Sequence, residues 1–95
     1  MMRTKLSEEE IARDLAGLAG WTRDGDTLRR SFVLPTFADA VSLVNRVAVA
    51  ADEMDHHPDM DIRYNRVNFA LSTHSAGGLT ELDFGLARRI DGLAG

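Results

Sequence analysis

Pro58 sets the tightest limit on how this chain folds. It closes "TFADAVSLVNRVAVAADEMDHHP", which contains the longest helix-periodic run in the sequence. Thr36 is a natural cap for that helix, and Phe37, Ala40, Val41, Val44, Val47, Ala48 and Ala51 form a broad apolar stripe along it. A proline disfavours helical angles in the residue before it, so the helix must stop by about Asp55. Beyond Pro58 the period changes. "DIRY" and "RVNFALST" read as two strands joined by a tight turn near Asn65. Val67, Phe69 and Leu71 point one way, and Asn68, Ala70, Ser72 and His74 point the other.

The flanking segments supply the remaining elements. Ser7 with Glu10 three residues on is a capping-box pattern, and Ile11, Leu15 and Leu18 follow at helical spacing, so a first helix runs to about Gly17. Two short strand-like runs surround Asp24-Gly25, a hairpin signal. In the second run Leu28, Phe32 and Leu34 share a face, with Arg29 and Ser31 opposite; Arg30 breaks the alternation. After the glycine loop "SAGG", Thr80 caps a closing helix with Asp83 completing a second capping box, and Phe84, Leu86, Ala87 and Ile90 supply its apolar positions. The order is α-β-β-α-β-β-α. Hairpins and single-sided strands predict an α+β fold, a four-stranded antiparallel sheet with three helices packed on one face, within a single domain over 1–95.

Composition excludes several functions. A net charge of -4 argues against a nucleic-acid surface. The absence of cysteine removes disulfides, thiolate metal sites and a cysteine nucleophile. "MMRTKLSEEE" turns acidic where a signal peptide would turn apolar, and no run is long enough to span a bilayer, so the cytoplasm is the expected location. No GxGxxG or P-loop pattern occurs, and the arginines of "LRRSF" and "LARRID" read as solvated faces or local ion pairs.

All three histidines fall between Asp52 and Asp83. Asp52 and His56 are four apart at the end of the long helix, where their side chains could meet. Pro58 turns the chain after His57, so the adjacent rings point in different directions. The hairpin could bring His74 back toward them, and Asp83 enters from the last helix. Singly, each has a plain explanation: a helix cap, a surface pair, a strand end, a capping box. Their convergence at one end of the sheet predicts an acid/base site. Three histidines and a carboxylate could also bind zinc, but no HxxxH or HxH pair occurs and neighbouring histidines rarely serve one ion.

These residues resemble the signature of the pterin-4a-carbinolamine dehydratase family. The matching positions are Asp52, His56-His57-Pro58, Tyr64, His74 and Asp83, with every spacing met, and "STH" and "GLT" around the loop are also similar. Weaker similarity covers nearly the whole chain. The resemblance implies the fold derived above and the dehydration of 4a-hydroxytetrahydropterin to quinonoid dihydropterin, with no metal or organic cofactor. It implies His56, His57, His74, Asp52 and Asp83 as the catalytic set: His56 and His74 transferring protons, His57 orienting the pterin, and Asp52 orienting and charging His56. Asp55, Met60, Ser72, Thr73 and Ser75 would join the histidines in binding substrate. Two positions depart from many members: Asp52 replaces glutamate, and Met60 replaces an aromatic. The implied partners are a small pterin, a second or fourth copy of the chain through the apolar long helix (Leu43 and Val49 included), and an aromatic amino acid hydroxylase working alongside. Nucleic acid and membrane are not expected. A non-catalytic role, as dimerisation partner, coactivator or assembly protein on the same fold, is the alternative.

Overall fold

The structure, a computed structural model, describes residues 4–95. Residues 1–3, the start of the stretch weighed against a signal peptide, lie outside it. Three helices and four strands follow in the expected order: α1 (Glu8–Ala16), β1 (Thr22–Asp24), β2 (Thr27–Val33), α2 (Phe37–Met54), β3 (Asp59–Arg63), β4 (Arg66–Leu71) and α3 (Glu81–Ala94). The strands form one antiparallel sheet ordered β1-β2-β4-β3. Both capping boxes form, at Ser7/Glu10 and at Thr80/Asp83. Gly25 takes a positive φ of 60° at the first position of the two-residue β1–β2 turn, where a side chain would be strained. No helix among the described residues is long and apolar enough to cross a membrane.

One face of the sheet carries the core. Leu28, Val67, Phe69 and Leu71 pack there against Ile11 of α1, Leu43 and Val47 of α2, and Phe84, Leu86 and Ile90 of α3. Arg30, which broke the alternation of β2, also lies on this helix-covered face. Its charge is met there: Nη1 donates to Asp91 Oδ1 at 2.8 Å and to the Ala19 carbonyl at 3.0 Å, and the guanidinium lies 4.2 Å over the Phe32 ring. Trp21 Nε1 donates to the same Asp91 oxygen. Paired this way, a half-buried charge ties β2 to α3 at little cost. It is not a solvated arginine.

The two later strands and the buried face of α2 differ from the sequence reading. β3 begins at Asp59, directly after Pro58, and Tyr64 sits in the turn at φ 53°. β4 stops at Leu71, and His74 opens a 3-10 turn, His74–Ala76, instead of ending the strand. In α2 the buried face runs through Ala40, Leu43, Val47, Ala50 and Ala51, whereas Phe37 is 52% exposed. Leu43 therefore belongs to the core, while Val49 faces outward.

Candidate functional site: two imidazoles on the open sheet face and a third turned inward

The helix-free face of the sheet bears a cavity of about 550 Å³, a size suited to a small organic ligand. His57 and His74 both line it, together with Ser72; Met60, expected to cover the substrate, borders it only at its backbone, because its pairing with Phe69 turns its side chain onto the core face. The chain brings the two imidazoles together in two ways. Pro58 starts β3 so that His57 stands just ahead of Asp59, which pairs with Ala70. β4 runs back antiparallel, and the loop after it is closed by a Thr73–Gly78 bridge that fixes the His74 turn.

His56 is held differently. α2 ends in a left-handed residue, Asp55 at φ 49°. The Asp55 N–H donates to the Asp52 carbonyl and the His56 N–H to the Ala51 carbonyl, the closure that finishes a helix and turns the chain off its screw. His56 thus leaves the helical face that it would have shared with Asp52. Its ring turns inward, and Nε2 lies 2.6 Å from Oδ1 of Asp83, which is fully buried. The expected Asp52–His56 pair does not form; Asp52 meets His57 Nε2 at 2.9 Å on the exposed surface. The capping-box explanation for Asp83 is also true, since Oδ2 accepts from the Thr80 N–H while Oδ1 serves His56. One carboxylate does both jobs.

Thr73 is buried, with its hydroxyl donating to Asp83 Oδ2 at 2.8 Å, so its side chain turns away from the cavity. Asp55 and Ser75 are exposed and do not line the cavity. No group of three or more His, Asp or Glu among the described residues is arranged to hold a metal ion.

The sequence reading missed the far half of the cavity. Arg29, Ser31, Asp59, Asp61 and Asn68 line it. Ser31, Asn68 and Asp61 stand in one cross-strand row, linked by hydrogen bonds. The Asn68 amide and then the Arg63 guanidinium hold the Asp61 carboxyl below the usual range, so it stays ionised through neutral pH. Strand alternation alone put Arg29, Ser31 and Asn68 on this face. What it could not give was the β2–β4 register that aligns them.

A sequence profile described as pterin 4 alpha carbinolamine dehydratase matches residues 4–93. The chain belongs to that family. A relative from Nocardia farcinica, provisionally named a pterin-4-alpha-carbinolamine dehydratase, is 55% identical over 89 residues, 94% of each chain. One of the same name from Mycobacteroides abscessus is 51% identical over 86 residues, 90% of this chain and 92% of its own. The crystal structure of a transcriptional coactivator/pterin dehydratase from Brucella melitensis superposes with a TM-score of 0.93 at 37% identity, covering 97% of this chain and all of that one. A pterin dehydratase-like protein identified as a RuBisCO assembly factor in the alpha-carboxysome shares the fold, with a TM-score of 0.65 at 24% identity over 79% of this chain and 87% of that one. The dehydratase family is one of hydro-lyases.

Within the family signature, Asp52 belongs to the rim. Its ion pair with His57 is exposed on both sides, and such pairs contribute about 0–1 kcal/mol. Asp52→Asn should therefore change kcat/KM by no more than about fivefold, measured across the pH range. A loss of tenfold or more would mean that Asp52 serves the chemistry directly.

Proposed function

We propose that this chain dehydrates 4a-hydroxytetrahydropterin to quinonoid dihydropterin by histidine acid/base catalysis. It would thereby recycle the pterin oxidised by an aromatic amino acid hydroxylase, with residues 1–95 acting as one domain. The observation that carries this reading is that two imidazoles, His57 and His74, line one cavity, while His56, next to His57 in the chain, is held by a buried carboxylate.

The reaction needs two proton transfers. A base takes the proton on N5, the freed electron pair forms the C4a=N5 bond, and the C4a–O bond breaks. An acid protonates the departing hydroxyl, which leaves as water. Histidine serves both roles near neutral pH. His74 lines the cavity with no carboxylate partner among the described residues. His56 is buried and stands outside the cavity lining, with Nε2 held by Asp83 and Nδ1 without a partner among the described residues. These two rings form the proton-transfer pair. His57, with Nε2 occupied by Asp52, orients the pterin.

The test is the absorbance decay of freshly generated 4a-hydroxytetrahydropterin, with and without chelator-treated protein. Acceleration over the spontaneous rate is the expected result. No acceleration by folded protein would overturn the reading.

A further inference from the structure

We infer that Thr73, Thr80 and Asp83 form a one-way hydrogen-bond chain that fixes the proton of neutral His56 on Nε2 and leaves Nδ1 as its working nitrogen. The direction follows from donors that cannot reverse. The Leu82 N–H donates to Thr80 Oγ1 at 3.2 Å, and the Thr80 N–H donates to Asp83 Oδ2 at 2.9 Å. Thr73 spends its hydroxyl proton on that same Oδ2, so in the Thr73–Thr80 contact at 2.9 Å Thr80 must be the donor. Every proton on this side points toward Asp83. Oδ2 can only accept, and with Asp83 ionised Oδ1, 2.6 Å from the His56 ring, is a second acceptor. A ring nitrogen 2.6 Å from an acceptor carries the proton.

Asp83, Thr73 and Thr80 are positioning residues acting through His56. All three are buried, at 0%, 4% and 1% exposure, so water does not compete for these bonds. Thr73 also precedes His74 directly in the chain. The hydroxyl that orders the Asp83 carboxylate is thus one peptide away from the second imidazole.

Asp83→Asn is the discriminating variant. The Thr80 N–H and the Thr73 hydroxyl still require an oxygen, so the new amide must present its NH₂ to His56. Nε2 then becomes an acceptor and the proton moves to Nδ1. The readout is the nitrogen-15 tautomer pattern of His56 at a pH where the ring is neutral. Wild type should carry the proton on Nε2 and Asp83→Asn on Nδ1, with kcat lowered at least tenfold and KM little changed. Wild-type protein with the proton on Nδ1 would overturn the inference, with no variant needed. So would an Asp83→Asn protein that keeps the proton on Nε2. That Nδ1 works on substrate rests on the dehydratase reading, but the tautomer is observed whether or not a carbinolamine is turned over. A wild-type Nε2 tautomer without turnover therefore counts against the function and supports the chain.

Discussion

His74→Ala should lower turnover of 4a-hydroxytetrahydropterin by about 10³, within the 10²–10⁴ range that positioned acid/base groups supply. The fold should be untouched. His74 is exposed, on a 3-10 turn closed by backbone hydrogen bonds that its side chain does not make. His56→Ala should cost a similar factor but is a less clean experiment. It leaves Oδ1 of Asp83 buried without a donor, although Oδ2 keeps the Thr73 hydroxyl and the Thr80 N–H, and a buried acceptor left unsatisfied costs about 1–3 kcal/mol. His56→Ala must therefore be compared at a temperature where circular dichroism shows it folded. His57→Ala should raise KM more than it lowers kcat, because its assigned role is orientation. Single-turnover rates separate these effects from product release. Wild-type turnover in both His56→Ala and His74→Ala would remove the acid/base assignment, whatever binding remained.

Local features of the fold were legible because local chemistry decides them. Ser7 with Glu10, Gly25 in a two-residue turn, and Thr80 with Asp83 each settle their own backbone within four residues. The parity of β2 and β4 likewise gave the correct buried face. What failed depended on distant residues or on backbone that leaves the regular pattern. The Asp52–His56 pairing assumed that the helical screw continued to His56, but the left-handed Asp55 ends it one residue earlier. The actual partner, Asp83, lies 27 residues away on another helix. Phe37 satisfied the helical period, yet it occupies the first residue of α2 and is half exposed. The row Ser31–Asn68–Asp61 required knowing that β2 pairs with β4, across α2 and β3, a non-local choice that no spacing encodes.

Phe84→Ala should destabilise the protein by about 3–5 kcal/mol, the usual cost of removing a buried aromatic ring and leaving its cavity. Phe84 is fully buried in the first turns of α3, among the core residues that join the helices to the sheet. A domain of this size has about 5–15 kcal/mol in total, so the loss takes a large share. It should appear as a lower urea midpoint with an unchanged slope, since the unfolding surface hardly alters. Phe37→Ala, the same substitution at a half-exposed position, should shift the midpoint far less. The consequence reaches the site because Asp83 is the residue before Phe84. Its carboxylate can meet His56 only while α3 stays docked on the sheet. Hydrogen exchange should accordingly show α3 and the Thr73–Gly78 loop loosening together in Phe84→Ala. An unchanged midpoint would mean that α3 is not anchored by its apolar face, and that the Asp83 network alone keeps His56 in place.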